Sequence, residues 1–332
     1  MRVIHGSARP VRDRRAYQPL PSHPAITFRE LRGLTIPGSG GRIGSPFDLA
    51  RQLRSFALCY FDNGYVLQDV LCLSAGRLSE VPIISGHHAV IKFGGLHDLA
   101  WEMIGKRLLR RFAAVHVLNE SDARYAGRLV AGKIFSIPMP VDLELFTPRS
   151  KGEQFSVVFV GRLHRQKGVD RLIDVIRLAN ARFASRVRFV VVGDGPMRRD
   201  LCAVEKLQNV RVVGALSRGE VAGAIASSHA LIMPSRWESF GLVGAEALAC
   251  GVPLITSGMG ATKEMAQEGR GFVIEDCDEP TEWCDAIAAL CNESEIAAAV
   301  RLARLRAYAE KNFSLDTVSR QFDRLLESVL TR

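Results

Sequence analysis

The sequence predicts an α/β protein of two domains, each built on a largely parallel sheet. Three observations predict it. The 332 residues exceed what a single hydrophobic core usually organises. From residue 154 onward, short apolar β-branched runs alternate with stretches of helical periodicity. A polar stretch containing Pro and Gly, "TPRSKGEQ" (147–154), separates this region from an earlier, weaker version of the same pattern. The domains are therefore placed at 1–148 and 152–332.

In the second domain "SVVFV" (156–160) reads as a strand ended by glycine, and "VDRLIDVIRLANARF" (169–183) as the helix after it. The unit recurs as "RVRFVVVG" with "PMRRDLCAVEKL", "VRVVG" with "SRGEVAGAIASS", and "ALIMP" with "GLVGAEALACG", then "PLIT". Strands that are continuously apolar are covered on both faces, as in a parallel sheet. Such sheets bind ligands beyond the carboxyl ends of their strands. Residues 294–330 are helical and amphipathic, and are expected to be able to pack back on the first domain. In the first domain strands are expected at 65–68, 81–85, 115–118 and 133–138, and helices at 47–60, 98–111 and 120–130. "PGSGGRIGSP" (37–46) reads as a loop.

Of the 44 lysines and arginines, 20 lie in residues 1–150, against 12 of the 35 acidic residues, so nearly all of the net charge of +9 belongs to the first half. That suits an anionic partner such as a phospholipid surface, and the basic stretch 97–112 is the candidate contact. The opposing reading is a solvated arginine-rich face. No nucleic acid is expected. The seven cysteines form no C-x-x-C pair, which argues against a zinc site and against a secreted disulfide framework. No apolar run approaches the roughly 20 residues of a membrane span. A cytoplasmic protein, at most peripheral to the inner face of a membrane, is the expectation.

The chemistry gathers at the strand ends of the second half. "VGRLHRQKG" (160–168) sets Gly161, Arg162 and Lys167 at the exit of the first strand, two cations suited to a diphosphate. "VVGDGP" (191–196) brings Gly193 and Gly195, which let backbone approach a ligand. "SFGLVG" (239–244) opens a helix whose free N–H groups favour an anion. "WESFGLVGAEAL" (237–248) carries two carboxylates, Glu238 and Glu246. Paired carboxylates suggest glycoside hydrolysis, but eight helical residues advance about 12 Å, whereas a retaining hydrolase needs about 5 Å. The two point at different parts of one ligand.

"FVGRLHRQKGVDRLIDV", "VVGDGP", "MPSRWESFGLVGAEALACGVPLITS" and "GATKE" (260–264) resemble the successive donor-site motifs of glycosyltransferase family 4. "IPMPVDLELFTP" (137–148) is similar to that family's linker, with Met139 and Pro140 replacing Asn-Gly. The resemblance implies the GT-B architecture, two Rossmann-like domains facing across a cleft, and retaining transfer from a nucleoside-diphosphate sugar. The acceptor would be a glycan, a glycolipid or a small molecule. It further implies that Glu238 binds hydroxyls of the donor sugar and Glu246 those of the ribose, while the amides of Phe240, Gly241 and Leu242 face the diphosphate. Arg162 and Lys167 would stabilise charge on the leaving diphosphate without a metal. Gly161, Gly193, Gly195 and Val213 complete the implied donor site. "VPIISGHHAV" (81–90) resembles the family's strand-ending histidine segment and points to His88, with His87 second, beside the reaction centre. No cofactor or metal is expected.

The chain departs from the family at its beginning. Members open with a strand and a glycine-rich loop, and "MRVIHGS" looks more like their second strand, so a shortened N-terminal domain is expected. Two other classes stay open: a nucleotide-sugar-binding relative without independent transferase activity, and a different two-Rossmann enzyme such as an epimerase or phosphorylase. A dinucleotide oxidoreductase is disfavoured because no G-x-G-x-x-G follows a strand.

Overall fold

The computed structural model describes residues 34–35, 42–43, 45–62, 66–86, 101–128, 130 and 133–331. They form two compact units. One takes the stretch up to Val117, Ala123–Phe135 and the chain from Arg324; the other takes Leu118–Asp122 and Ser136–Asp323.

In chain order the first elements are a short antiparallel pair, β1 (Leu34–Thr35) with β2 (Arg42–Ile43), then α1 (Pro46–Leu53) and β3 (Cys59–Asp62). Helix α1 starts where Ser45 caps the Phe47 amide and Pro46 fills the first position, which has no need of an N–H. Next come α2 (Val66–Ser79), β4 (Ile83–Gly86), a π-turn at Trp101–Gly105 running into α3 (Lys106–Leu109), β5 (Ala114–Val117), α4 (Glu120–Gly127) and β6 (Ile134–Ser136). Strands β3 to β6 make one sheet in that order, with β3, β4 and β5 parallel. Leu53, Cys72, Ile83, Leu109, Val115 and Val117 pack its core.

Two expectations for this region fail together. The run at 65–68, expected as a strand, belongs to α2 from Val66, and the strand lies earlier, at Cys59–Asp62, overlapping the end of the stretch 47–60 expected as helix, where the helix stops at Leu53. A four-residue apolar run does not carry a period of its own. The helical period of α2 shows further along, where Asp69, Cys72, Ala75 and Gly76 are buried. The segment "CYFD" becomes a strand because it can pair with β4, Cys59 opposite Ile83 and Phe61 opposite Ser85.

The second unit matches its sequence closely. Strands β7 (Phe155–Val160), β8 (Val187–Val192), β9 (Val210–Gly214), β10 (Ala230–Met233), β11 (Leu254–Thr256) and β12 (Gly271–Val273) form one parallel sheet in the order β12-β11-β10-β7-β8-β9. Alternate side chains leave by opposite faces. Val157, Phe159, Ala230, Ile232 and Ile255 join one core, with α5 (Val169–Phe183), α6 (Cys202–Glu205) and α10 (Pro280–Cys291). Val158, Leu231 and Leu254 join the other, with α7 (Arg218–Ala226), α8 (Leu242–Ala249), α9 (Thr262–Ala266) and α11 (Glu295–Phe313). Each fully buried aliphatic side chain is worth roughly 1.5–3 kcal/mol, so a sheet covered on both faces is the stable arrangement for these strands. The helical stretch expected at 294–330 breaks at Ser314, whose hydroxyl accepts from the Thr317 amide to start α12 (Leu315–Leu330). The strand order reverses between β7 and β10. Loops leaving those two neighbours at their carboxyl ends diverge and open a crevice there.

Candidate functional site

The crevice is built from three turns. After β7 the chain turns at Gly161, whose amide donates to the Val192 carbonyl at 3.0 Å. The partner turn after β8 comes so close that a Cβ on Gly193 (φ +136°) would lie 1.9 Å from the Gly161 carbonyl oxygen, so only glycine fits. Gly195 is pressed in the same way against Leu163. A 3₁₀ turn, Arg165–Lys167, then forms where the His164 ring caps the Gln166 amide. The loop after β10 is tied to it: the Arg236 amide donates to Gln166 O at 2.8 Å, and the Arg236 guanidinium holds Asp170 at 2.6 Å.

This tie brings Lys167 to Glu238. Lys167 Nζ donates to Glu238 Oε1 at 2.6 Å, and Ser235 Oγ donates to the same oxygen at 2.9 Å. The Glu238 side chain is 9% exposed and that of Lys167 29%, so the pair is half-sheltered and still reachable from solvent. The Arg162 side chain is exposed and has no hydrogen bond or ion pair to the described residues.

Helix α8 supplies the third feature. Its N-cap, Gly241, is left-handed (φ +78°) and offers no side-chain cap, so the Leu242 and Val243 amides have no partner within the helix, while Gly244 N donates to the Gly241 carbonyl at 2.8 Å. They carry the positive end of its dipole. Phe240 contributes only backbone here, because its ring is buried edge-on against Phe313 at 5.7 Å between centroids. On the next turns of α8 lies Glu246. It is 6% exposed, and its carboxyl has no hydrogen-bond or ion-pair partner among the described residues. Burial pushes its pKa up to about 7, against a smaller opposing pull from Arg218. A desolvated carboxyl without a partner is unfavourable for the fold itself, and such groups gather at functional sites.

Of the other residues the sequence singled out, Val213 is half-buried in β9 against the core. His88 and His87 lie outside the described residues, as does "PGSGG" (37–41). Sequence reasoning overlooked Ser235 and Asn119. Asn119 Nδ2 donates to the Ser239 carbonyl at 3.0 Å and to Asp122 Oδ2 at 2.8 Å, while its Oδ1 accepts from the Asp122 amide. Asn with Asp three residues later at the head of a helix was a readable capping signal; the tether to Ser239, 120 residues away, was not. The chain also contains one Asp-x-Asp, Asp276-Cys277-Asp278. Asp278 is engaged by Arg171 at 2.7 Å and Arg236 at 3.5 Å. Among the described residues no group of three or more His, Cys, Asp or Glu could hold a metal ion. A cavity of about 200 Å³ lined by Leu118, Asn119, Ala261, Glu264 and Tyr308 shares only Phe240 with the predicted site.

Residues 154–293 match the family model described as "Glycosyl transferases group 1". The chain is 30% identical over 305 residues to the D-inositol 3-phosphate glycosyltransferase of Stackebrandtia nassauensis, covering 80% of this chain and 67% of that one. It is 34% identical over 137 residues to an uncharacterised 41.2 kDa protein from the cps region of Klebsiella pneumoniae, covering 40% of this chain and 37% of that one. Another D-inositol 3-phosphate glycosyltransferase, from Catenulispora acidiphila, is matched over 57% of its length, so the chain spans well under two thirds of some curated relatives. Among solved structures, the Anabaena protein Alr3699/HepE in complex with UDP and glucose superposes with a TM-score of 0.72 at 20% identity, over 92% of this chain and 87% of that one.

Proposed function

Because this chain belongs to the glycosyl transferases group 1 family and has the GT-B fold, we propose that it moves a sugar from a nucleoside-diphosphate sugar to a hydroxyl acceptor, with retention of configuration. The observation that carries this reading is Glu246: a buried carboxyl with no partner among the described residues, on a helix whose open N-terminus lies at the point where the strand order reverses. A nucleotide answers both needs. Ribose hydroxyls would donate to Glu246, and the diphosphate would lie on the amides of Phe240 to Leu242.

The donor side is assigned to residues 152–332 and the acceptor side to 1–148. In the transfer, the bond between the sugar's anomeric carbon and the diphosphate oxygen breaks, and its electron pair leaves with the diphosphate. Arg162 and Lys167 offset that charge. The acceptor oxygen bonds to the anomeric carbon and its proton passes to the departing phosphate. Retention requires the new bond on the face the diphosphate leaves, and His88 is assigned to that neighbourhood. The Anabaena neighbour is seen with UDP and with UDP-glucose, which makes uridine diphosphate the first nucleotide to try.

A lipid-borne acceptor in cell-envelope glycan or glycolipid synthesis, reached from the cytoplasmic face, fits the first half. Met103 and Ile104 are 57% and 47% exposed, and Arg107, Arg110 and Arg111 are exposed close by. No helix among the described residues is long and apolar enough to cross a membrane. The reading is tested by offering the glucose, galactose and mannose derivatives of UDP, GDP and ADP, and following release of the diphosphate with and without vesicle lipid. Release from one nucleotide series is expected. Binding of a nucleoside diphosphate without turnover would favour a partner-dependent relative, and no binding at all would overturn the reading.

A further inference from the structure

We infer that Ser235 is a positioning residue that fixes the direction of the Glu238 carboxylate, and thereby sets how sharply the site separates sugars differing in the configuration of one hydroxyl. The inference rests on the reading that Glu238 meets the donor sugar. Both protein donors, Lys167 Nζ at 2.6 Å and Ser235 Oγ at 2.9 Å, go to one oxygen, Oε1. Oε2 accepts nothing from the described residues and is left for a ligand. Hydrogen bonds to a carboxylate lie near its plane. One donor on Oε1 therefore leaves the group able to turn about the donor–oxygen line, sweeping Oε2 along an arc. A second donor from another direction fixes the plane, and with it the lone pairs of Oε2.

Ser235 is suited to be the fixed point and Lys167 is not. Ser235 is 3% exposed and lies just past the end of β10. Its own carbonyl accepts from Ser257 Oγ at 2.5 Å. The carbonyl before it, on Pro234, accepts from Arg171 and is packed so tightly that a Cβ on Gly168 would lie 1.9 Å from it. Lys167 reaches Glu238 by a long, partly exposed stem and has two further N–H donors to spend on a diphosphate. The serine hydroxyl thus transmits the rigidity of the sheet to a carboxylate carried on a loop.

The test uses the full chain, Ser235→Ala and Ser235→Thr, with the glucose, galactose and mannose derivatives of whichever of UDP, GDP and ADP binds. For Ser235→Ala, kcat/KM for the preferred sugar should fall about tenfold, the size of one charge-assisted hydrogen bond at its lower end. The preference over the epimers should narrow by a similar factor. Affinity for the nucleoside diphosphate, read by calorimetry, should stay within about twofold, and Ser235→Thr should restore most of the preference. In a Glu238→Gln background Ser235→Ala should add less than about twofold. Equal losses on all three sugars, or a matching loss of diphosphate affinity, would show that the hydroxyl only supports the loop and would overturn the inference. If Glu238→Gln leaves the sugar preference unchanged, the assignment of Glu238 itself falls. If Glu238→Gln changes it and Ser235→Ala does not, the role of Ser235 alone falls. Turnover of none of the donors would count against the transfer reading and this inference with it.

Discussion

Lys167 and Glu238, 71 residues apart in sequence, meet at 2.6 Å because the loops after β7 and β10 are tied together through Gln166 and Arg236. Each is the other's charged partner, so neither acts alone. Lys167→Ala and Glu238→Gln should each lower turnover, and the double variant should lose less than the sum of the two, with a coupling of about 1–3 kcal/mol in the activation free energy. Steady-state kinetics on the four proteins gives this number. Additivity within about 0.5 kcal/mol would mean that the pair is separate during the reaction.

Glu246 makes stability depend on pH. Its folded pKa, about 7, lies above the ordinary value of 4.5, so the folded state holds the proton more tightly than the unfolded one. Stability is therefore full below about pH 4.5 and declines as pH rises towards 7, by about 3 kcal/mol in all. Glu246→Gln removes the penalty. It should match the native chain near pH 5 and exceed it by about 2–3 kcal/mol at pH 8 in the absence of ligand. Denaturant midpoints at the two pH values decide; a variant that is less stable at pH 8 would show that the carboxylate has a partner in solution.

In the proposed function the diphosphate would meet Arg162, Lys167 and the N-terminus of α8, so transfer should persist in EDTA. Activity that vanishes with the chelator and returns with magnesium or manganese would place a metal in the mechanism.

Asn119 caps α4 and holds the Ser239 carbonyl. Asn119→Ala should lower stability by about 1–2 kcal/mol and turnover as well, since Ser239 is next to Glu238. Melting curves and kcat measured together check this. A stability loss with unchanged kcat would confine Asn119 to capping.

The second unit was legible because its strands are covered on both faces, so burial alone writes them as apolar runs, and because glycines such as Gly193 are forced by backbone contact. The first unit was harder to read. Its strand "CYFD" exists through pairing with β4 rather than through its own pattern, and Val66 to Gln68, too short a run to show a period, are the first turn of the 14-residue α2. At the site the charged residues were readable, whereas their pairing was not. That Lys167 touches Glu238, and that Ser235 shares the same oxygen, depends on where two distant loops end. No spacing in the sequence encodes it.

Two carboxylates divide the donor in the proposed function, Glu246 on α8 holding the nucleotide and Glu238, on the loop before α8, holding the sugar. Calorimetric titration of the matching nucleoside diphosphate into the native chain, Glu246→Gln and Glu238→Gln, set beside turnover of the intact donor, tests it most directly. Glu246→Gln should weaken diphosphate binding about 10- to 150-fold, the range of one lost charge-assisted hydrogen bond. Glu238→Gln should leave that affinity nearly unchanged and lower turnover by a comparable factor. Equal defects in the two variants, or a diphosphate defect confined to Glu238→Gln, would contradict the account.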